Sequence, residues 1–568
     1  MKTKKIFNFL LLLGFLSGCD YLDIVPDNLP TLEMAFNNKS SAERFLFTCY
    51  SFVPEHGKIG TDPGMDVGDE VWYYSDNSAD YSNKTTFWIA KGMQNSNEPL
   101  VDYWNGTQWG KAMFVGIRDC NVFIENIEKV PDLSAYDKET WKAEAKVLKA
   151  FYHFWMMRMY GPIPIIKENI PVSAGEDEVR VVRDKIDDIV TYIVSLIDES
   201  VEYLPLNIQN EAAEMGRITR PAAKAIKAKI LAFAASPFFN GNLDYANFKN
   251  AEGEPFFNQV YDNEKWTKAA DACLEAIQCA EEAGHGLYEF VNMSSTQLSD
   301  ETILSLSNRC KVTERWNKEL VWGCGQSGIR DLQVLCQPWL ESNYSSDDRY
   351  HNARNGTFAP TLAVAETFYT KNGVPMDEDK NYDYSKRYTT QVATEADKYY
   401  IQPGYTTAKL HFDREPRFYA TLGFDGSSWY GIGKMDDNDM WYLQAKAKQA
   451  SGKRGNTLYS ITGYFAKKLV RYQNAMVPAS IQIETYPFPI IRLADLYLLY
   501  AEALNEAKKE EGTVPEDCYT YIDKVRARAG AGMKKTPSRR PALRRNSSGS
   551  TPSTARKTFW MTPTTIPT

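Results

Sequence analysis

Apolar side chains recur at helical spacing in several long stretches of the chain, and this periodicity limits the fold more than any other sequence feature. Between residues 141 and 159 they follow one another every three or four positions, which places them on one face of a helix, and the stretch stops at Gly161-Pro162. Such helices joined by short breaks are typical of α-solenoids, in which each helix pair covers the apolar face of the next. The sequence therefore predicts a mainly α fold, an α-solenoid of tetratricopeptide-like helix pairs, although the strict repeat consensus is absent. Further stretches of this kind lie at 184–203, 222–235, 266–280 and 493–504.

The chain between about residues 285 and 485 has a different composition. Gly, Asn, Asp and Tyr interrupt it often, long helical stripes are scarce, and short apolar runs such as 319–322 predict strands. We therefore expect helical hairpins over about 35–285 and 486–530, with a large irregular, loop-rich insertion over about 285–485. Aromatic residues on the helical stripes, and Trp322 in its strand-like run, are interpreted as core.

The N-terminus has the pattern of an export signal. Three lysines precede an apolar run over residues 6–16, which is too short to span a bilayer. Next comes Leu16-Ser17-Gly18-Cys19, which resembles the lipobox of bacterial lipoproteins, where the cysteine thiol takes a diacylglycerol and becomes the mature N-terminus. We expect a lipoprotein signal peptide over 1–18, lipidation of Cys19, and anchoring to a membrane that the chain does not cross.

The C-terminal segment 531–568 is basic and of low complexity. No acidic residue follows Asp523, and lysines and arginines alternate there with Ser, Thr and Pro without a hydrophobic period. Two interpretations fit this segment. One is a disordered basic tail that binds an anionic surface, and the other is a reading frame that shifts near Ala531, so that the tail is out of frame.

Charge and cysteine usage exclude some partners and sites. The net charge of −8 does not point to a polyanionic partner, so nucleic acid is not an expected ligand. Eight cysteines follow Cys19, and none lies in a C-x-x-C pair or a His-Cys cluster typical of zinc. Cys273 and Cys279 point about 120° apart on one predicted helix and should not bridge each other. Buried free thiols are the favoured interpretation, and a disulfide between other cysteines stays open.

No local motif for catalysis is present. The five histidines are scattered, and His153, beside the apolar stripe of its helix, is interpreted as structural. The run Asp436-Asp437-Asn438-Asp439 lacks the glycine and closing glutamate of an EF-hand loop, so an exposed turn before Trp441 is favoured over a calcium site. We expect no catalytic residue, no metal and no cofactor. A carboxylate pair for glycoside cleavage stays open, because such acids meet only in three dimensions.

Several groups of residues between Cys19 and about Gly530 resemble, in the same order, the SusD/RagB family of surface glycan-binding lipoproteins of Bacteroidota. Each group alone is weak evidence, and their order along the chain makes the resemblance specific. The resemblance implies one SusD-like domain over 19–530. The groups are Cys19-Asp20-Tyr21-Leu22-Asp23-Ile24-Val25-Pro26, Ile117-Arg118 with Asn121, the 145–160 helix with Gly161-Pro162-Ile163-Pro164, Gly216-Arg217-Ile218-Thr219 with Ala234-Ala235-Ser236-Pro237, Asn372-Gly373-Val374-Pro375, Asp413-Arg414-Glu415-Pro416-Arg417, Ile491-Arg492-Leu493-Ala494-Asp495-Leu496 with Glu502-Ala503, and Val525-Arg526-Ala527-Arg528-Ala529-Gly530.

The resemblance also implies a function. Members of this family look like α-solenoids of four tetratricopeptide-like hairpins beside a more irregular region. By resemblance, this chain is a non-catalytic lipoprotein on the cell surface, anchored in the outer membrane, which captures an oligosaccharide and passes it to a SusC-like TonB-dependent transporter. Two alternatives stay open, a peptide-binding RagB-like lipoprotein and a surface glycoside hydrolase. Family members normally continue past residue 530 with a further helix and an aromatic stretch that this chain lacks, which favours the shifted frame.

Two polar segments rich in aromatic residues are the predicted glycan-binding site. Sugar rings lay C–H patches against aromatic faces, while their hydroxyls need amide and carboxylate partners, and both segments offer this combination outside any helical stripe. They fall in regions where the resemblance implies binding residues, without a residue-by-residue match. The alternative is that these aromatic residues pack the loops against the solenoid. The predicted site residues are Trp72, Tyr73, Tyr74, Trp339, Tyr344 and Tyr350.

Overall fold

The computed structural model describes residues 32–60, 62–66, 68–73, 88–89, 92–108, 110–293, 295–340, 353–455, 458–477, 480–507 and 514–531. The predicted signal peptide, Cys19 and the tail from residue 532 onward lie outside these residues. Among the described residues, no helix has both the length and the apolar character that crossing a membrane requires.

Ten helices in the described part of the chain are eight residues long or longer. The stretches predicted from periodicity at 141–159, 222–235, 266–280 and 493–504 all lie in them, and that prediction is confirmed. The stretch predicted at 184–203 forms a helix that ends earlier, at Asp198. The ten are α1 Lys39–Tyr50, α2 Met113–Asn126, α3 Ala135–Tyr160, α4 Ile186–Asp198, α5 Arg220–Ala235, α6 Glu264–Glu282, α7 Asp300–Thr313, α8 Ile329–Cys336, α9 Leu493–Ala507 and α10 Glu516–Arg528.

Short helical segments connect these elements. The α-helical ones are Leu32–Ala35, Pro63–Asp66, Glu176–Val179, Glu211–Glu214, Leu362–Thr367 and Pro416–Thr421. The 3₁₀ turns are Ile127–Lys129, Val201–Tyr203, Leu243–Tyr245, Tyr384–Lys386, Glu395–Asp397, Lys409–His411 and Lys467–Leu469.

The long helices form one continuous array. Each of α1 to α5 packs on the next helix in chain order, and the array continues from α6 to α9 and from α9 to α10. The last two helices therefore extend the array after an insertion of about two hundred residues. This arrangement confirms the predicted mainly α, solenoid-like fold built from helix pairs.

Local sequence signals set the ends of these helices. The Thr219 side chain accepts a hydrogen bond from the backbone N–H of Ala222 at the start of α5, and Pro221 stands in its first turn. Helix α3 begins after Ser134, which accepts from the Asp137 N–H, and it ends at Gly161. Gly161 has φ of +70°, a conformation that side chains with a Cβ rarely adopt.

The largest apolar core lies between the helices of the array. Trp155 of α3 and Trp266 of α6 are among its fully buried side chains. Alanines of α5 such as Ala225 and Ala228 are completely buried, and their small size allows α6 to pack closely against that helix. Burial of side chains as large as the two tryptophans supplies much of the apolar stabilisation of such a core.

The strands form two-stranded antiparallel ribbons, and no larger sheet occurs among the described residues. The run predicted at 319–322 is confirmed as part of β2, and Trp322 is buried in the core, as predicted. The pairs are β1 Val71–Tyr73 with β3 Phe358–Pro360, β2 Leu320–Cys324 with β10 Phe488–Arg492, β4 Thr390–Val392 with β5 Thr406–Ala408, β6 Ser428–Trp429 with β7 Trp441–Tyr442, and β8 Ala475–Val477 with β9 Ser480–Gln482.

Helix α7 is a long helix within the 285–485 region, where the sequence predicted that long helical stripes are scarce. Its buried face carries Asn308, Arg309 and Lys311, so no continuous apolar stripe marks it in the sequence. Arg309 donates hydrogen bonds to the backbone carbonyls of Val470 and Tyr430 at 2.7–3.0 Å. Polar groups can be buried in this way when tertiary partners satisfy them.

Two of the family-like motifs meet at one buried carboxylate, Glu319. Its side chain accepts a hydrogen bond from Arg528 of α10, and Arg492 of β10 lies 3.4 Å away. Arg492 also pairs with Asp495 at 2.5 Å, at the start of α9. The carboxylate of Glu319 is fully buried. These motif residues therefore hold β2, β10 and α10 together.

The buried histidine and thiols have structural surroundings. His153 bonds to the Lys149 carbonyl through Nδ1 at 2.8 Å and accepts from the Ile166 N–H through Nε2 at 3.2 Å, which confirms its structural interpretation. Burial lowers the pKa of His153 to about 4, so the imidazole is neutral at pH 7. All eight cysteines after Cys19 are buried free thiols, as favoured by the sequence, and burial raises the pKa of Cys310 to about 12.

Candidate functional site

Trp72 lies in the centre of strand β1 and faces solvent. Its partner across the ribbon is Ala359 of β3. The Trp72 side chain is 41 % exposed, a high fraction for tryptophan. An aromatic face held on a strand can stack against a flat apolar ligand surface.

The β1–β3 ribbon is fixed to its surroundings from several directions. The Thr361 N–H donates to the Glu70 carbonyl at 2.9 Å, and the Thr361 hydroxyl donates to the Asp69 carbonyl at 3.0 Å. The last residue of β3 is held as well, because the Thr462 hydroxyl donates a hydrogen bond to the Pro360 carbonyl at 2.7 Å. The position of the Trp72 backbone is therefore set before any ligand binds, which lowers the entropy cost of binding.

Trp339 is half-buried, and its orientation is fixed by hydrogen bonds. The indole N–H donates to the Ala353 carbonyl at 3.0 Å, and the backbone N–H donates to Asn355 Oδ1 at 3.0 Å. The carbonyl of Trp339 accepts from the Ser451 hydroxyl at 2.6 Å. The Arg454 guanidinium lies 5.9 Å from the ring centre. The partly covered ring therefore keeps a set orientation and has a cation beside it.

The structure brings the two predicted segments into one region. Residues 353–355 hold Trp339 and lead directly into β3, which pairs with β1. Val71, Leu340 and Phe358 also belong to one buried apolar cluster. Of the other predicted site residues, Tyr73 is the last residue of β1, and Tyr74, Tyr344 and Tyr350 lie outside the described residues.

A third segment of this region was missed by the sequence analysis. It runs from Ser451 to Arg454 and reaches Trp339 through the bonds described above, with a further bond from the Asn355 side-chain amide to the Ser451 carbonyl at 3.2 Å. Ser451 and Trp339 are 112 positions apart in the chain. No local pattern could have predicted the contact.

A second surface cluster combines aromatic and charged groups on the 3₁₀ turn Tyr384–Lys386 and the two residues that follow it. The Arg387 guanidinium stacks on Tyr384 at 3.9 Å and on Tyr388 at 4.1 Å. The Glu366 carboxylate accepts hydrogen bonds from Arg387 at 2.7 Å and from Tyr388 at 2.6 Å. Tyr388 is 56 % exposed. These polar groups satisfy one another, so the cluster offers a ligand an aromatic edge and few unpaired donors.

The acidic run at 436–439 only partly matches the predicted exposed turn. The Asn438 N–H donates to the Asp436 carboxylate at 2.9 Å, which forms the turn. Asp437 is buried instead and accepts from both the N–H and the hydroxyl of Ser299, at 2.8 and 2.6 Å, at the start of α7. Asp439 pairs with Lys434 at 2.6 Å. Within the described residues, no cluster of three or more His, Cys, Asp or Glu side chains is arranged to hold a metal.

Two family models match the chain over separate ranges. The SusD family model matches residues 330–549. A second model, described as starch-binding associating with outer membrane, matches residues 20–231. No curated protein is significantly similar to the chain.

Solved structures extend the similarity over most of the chain. The protein BT4246 is 27 % identical with a TM-score of 0.70, and the match covers 87 % of this chain and 82 % of BT4246. The SusD-like protein BF3747 from Bacteroides fragilis shares the fold, with 18 % identity, a TM-score of 0.61, and coverage of 87 % and 80 %. The SusD-like carbohydrate binding protein BF0978 from the same species also shares it, with 17 % identity, a TM-score of 0.52, and coverage of 87 % and 79 %. Because the two family models match separate ranges that together span most of the chain, the chain belongs to the SusD family.

Proposed function

We propose that this protein is a cell-surface lipoprotein that captures oligosaccharides and passes them to a SusC-like TonB-dependent transporter in the outer membrane. The observation that carries the proposal is the exposed Trp72 on a fixed strand, in the region that also holds Trp339, in a chain of the SusD family. The description of the second matching model, which links starch binding to the outer membrane, supports both the ligand class and the location.

The proposed location depends on the two ends of the domain. Residues 1–18 act as a lipoprotein signal peptide, Cys19 carries the lipid, and residues 19–530 form the SusD-like domain. Lipid attachment through several acyl chains gives stable anchoring without a membrane-spanning helix. The segment 531–568 is not assigned a role in binding.

Oligosaccharides suit the chemistry of the site region. The Trp72 ring offers an apolar face for stacking, and Arg454 supplies donors next to the Trp339 ring. Stacking on aromatic rings together with hydrogen bonds to hydroxyls is how proteins bind amphipathic ligands of this kind.

Loss of the Trp72 ring is expected to weaken glycan binding by at least about fivefold, since each stacking aromatic contributes about 1 kcal/mol or more. The ligand is first chosen by screening the purified protein against a panel of polysaccharides that includes starch. Isothermal titration calorimetry then compares the wild type with Trp72→Ala and Trp339→Ala. Trp72→Ala should keep the parent's melting temperature, because its side chain is exposed.

Tyr136→Ala is the matched control, because Tyr136 is an exposed aromatic residue on α3 and belongs to the solenoid. Its affinity should equal that of the wild type. Unchanged affinity in both tryptophan variants would remove the site assignment. Binding of peptides in place of any glycan would favour the RagB-like alternative, and sustained release of reducing ends from a polysaccharide would show an enzyme.

A barrel transporter is expected to co-purify with this protein from gently solubilised membranes, in about equal amounts. The helical array presents broad surfaces that suit a stable partner. The measurement is affinity purification of the native lipoprotein followed by mass spectrometry. An unrelated outer-membrane lipoprotein from the same cells serves as the control, and recovery of the protein without any barrel partner would contradict the proposal.

A further inference from the structure

A small cavity in the core is lined by three nitrogen-bearing side chains. Arg158 comes from α3, Lys229 from α5, and His56 from the loop that follows α1. The remaining walls are phenylalanine and isoleucine side chains of α3, α5 and β10. The cavity volume is about 10 Å³, counted as the space that the centre of a water-sized sphere can occupy. This is room for one water molecule or one monatomic ion.

The nitrogen atoms around this cavity lack acceptors. Within the described residues, the carboxylates that act on Arg158 and Lys229 do so as more distant charges without a hydrogen bond, Asp62 on Arg158 and Asp495 on Lys229. Arg158 Nε is buried, and its guanidinium rests on aromatic faces, including that of Phe233 at 4.9 Å. Both ring nitrogens of His56, which is 2 % exposed, are also without a hydrogen bond. Such groups cost stability unless a partner satisfies them.

The charges that face the cavity do not balance. Asp62 has 3.6 Å between its Oδ2 and His56 Nδ1, accepts a hydrogen bond from the backbone N–H of Gly57, and acts on Arg158 as a more distant charge. Asp495 acts on Lys229 only at a distance, because its carboxylate is paired with Arg492. Among the described residues, these two cationic side chains therefore share one apolar-walled space, and neither is hydrogen-bonded to a carboxylate.

We propose that this cavity is a binding site for one monatomic anion of chloride size, held by Arg158, Lys229 and His56. A bound anion neutralises part of the charge that a water molecule leaves uncompensated. The ion joins α3, α5, β10 and the loop at 51–60, which precedes β1, the strand that carries Trp72. The site thus fastens the strand of the candidate glycan site to the helical array.

Protonation of Lys229 controls the affinity of this site. Burial, together with the charge of Arg158, lowers the pKa of Lys229 to about 7 against the opposing effect of Asp495. Below this pKa the ammonium attracts the anion, and above it the neutral amine does not. Anion binding is therefore stronger at pH 6 than at pH 8.5.

The experiment compares thermal unfolding in sodium chloride, sodium bromide and sodium gluconate at equal ionic strength. At ten times the dissociation constant, chloride and bromide should raise the midpoint by about 1–2 °C for a chain of this size, with saturation and with a smaller effect at pH 8.5. Lys229→Met should lose this response. Lys227→Met, two positions away on α5 and paired with Asp198 at 2.6 Å, should keep it.

A crystallographic measurement keeps the proposal testable if Lys229→Met does not fold. Crystals of the unmodified protein grown in bromide should give an anomalous peak between Arg158 and Lys229. Absence of that peak would overturn the proposal. An equal midpoint in chloride and gluconate, or a full chloride response in Lys229→Met, would overturn it as well.

Discussion

Replacing Glu319 by glutamine is expected to lower the free energy of unfolding by about 3–5 kcal/mol. Burial alone would raise the pKa of Glu319, but the charges of Arg528 and Arg492 outweigh burial and lower it, so the group is ionised in the folded protein. Glutamine keeps the volume and removes the charge, which leaves the buried Arg528 guanidinium without its carboxylate partner and Arg492 with Asp495 alone. Chemical denaturation of the purified variant measures the change.

The matched control for this substitution is Glu199→Gln. Glu199 pairs with Lys146 at 2.8 Å, but its side chain is 57 % exposed, so its removal should change the free energy of unfolding by less than about 1 kcal/mol. Equal stability of the two variants would show that the Glu319 network does not hold β2 and α10 in place.

Replacing Arg414 by methionine is also expected to cost about 3–5 kcal/mol, because several buried acceptors lose their donor at once. Arg414 is 3 % exposed and donates to the backbone carbonyls of Leu410, Ala365 and Phe368 at 2.6–2.8 Å. Its guanidinium also stacks on Phe418 at 4.4 Å. Methionine fills a similar space and keeps the apolar contacts, so denaturation should report mainly the lost hydrogen bonds.

Lys371→Met is the control for Arg414, since it removes a cation from the same neighbourhood. Lys371 pairs with Asp413 at 2.6 Å with both side chains more than half exposed, and its loss should cost less than about 1 kcal/mol. If Arg414→Met unfolds at the same denaturant concentration as Lys371→Met, then the carbonyls find other donors and the prediction is wrong.

The helices of the array could be predicted from sequence because their apolar stripes are local. Helix α7 could not, since its buried face includes Arg309 and Lys311, and burial of such residues depends on carbonyls far away in the chain. The two predicted site segments differ in the same way, in how much of their surroundings the local sequence predicts. Trp72 stood out as an aromatic residue outside any stripe, whereas the contact of Trp339 with Ser451 has no local signature.

The residues that made the family recognisable are mostly scaffold residues in the structure. Arg528 and Arg492 meet at Glu319, Arg414 holds the carbonyls around it, and Arg217 forms a buried pair with Glu144 at 2.6 Å. None of these groups lies on an exposed aromatic surface. The family and fold were therefore readable from the sequence, while the identity of the ligand depends on loop residues that carry no shared pattern.

The route of the chain through the array has a consequence for the kinetics of folding. Helix α6 packs on α9, yet more than two hundred residues separate their starts at Glu264 and Leu493. During synthesis, the apolar face of α6 must wait for nearly the whole insertion to leave the ribosome before its partner arrives. Contacts of such long sequence separation form slowly, and an uncovered helix face is prone to aggregate in the meantime. Nascent chains that stop before α9 should therefore depend on chaperones to remain soluble.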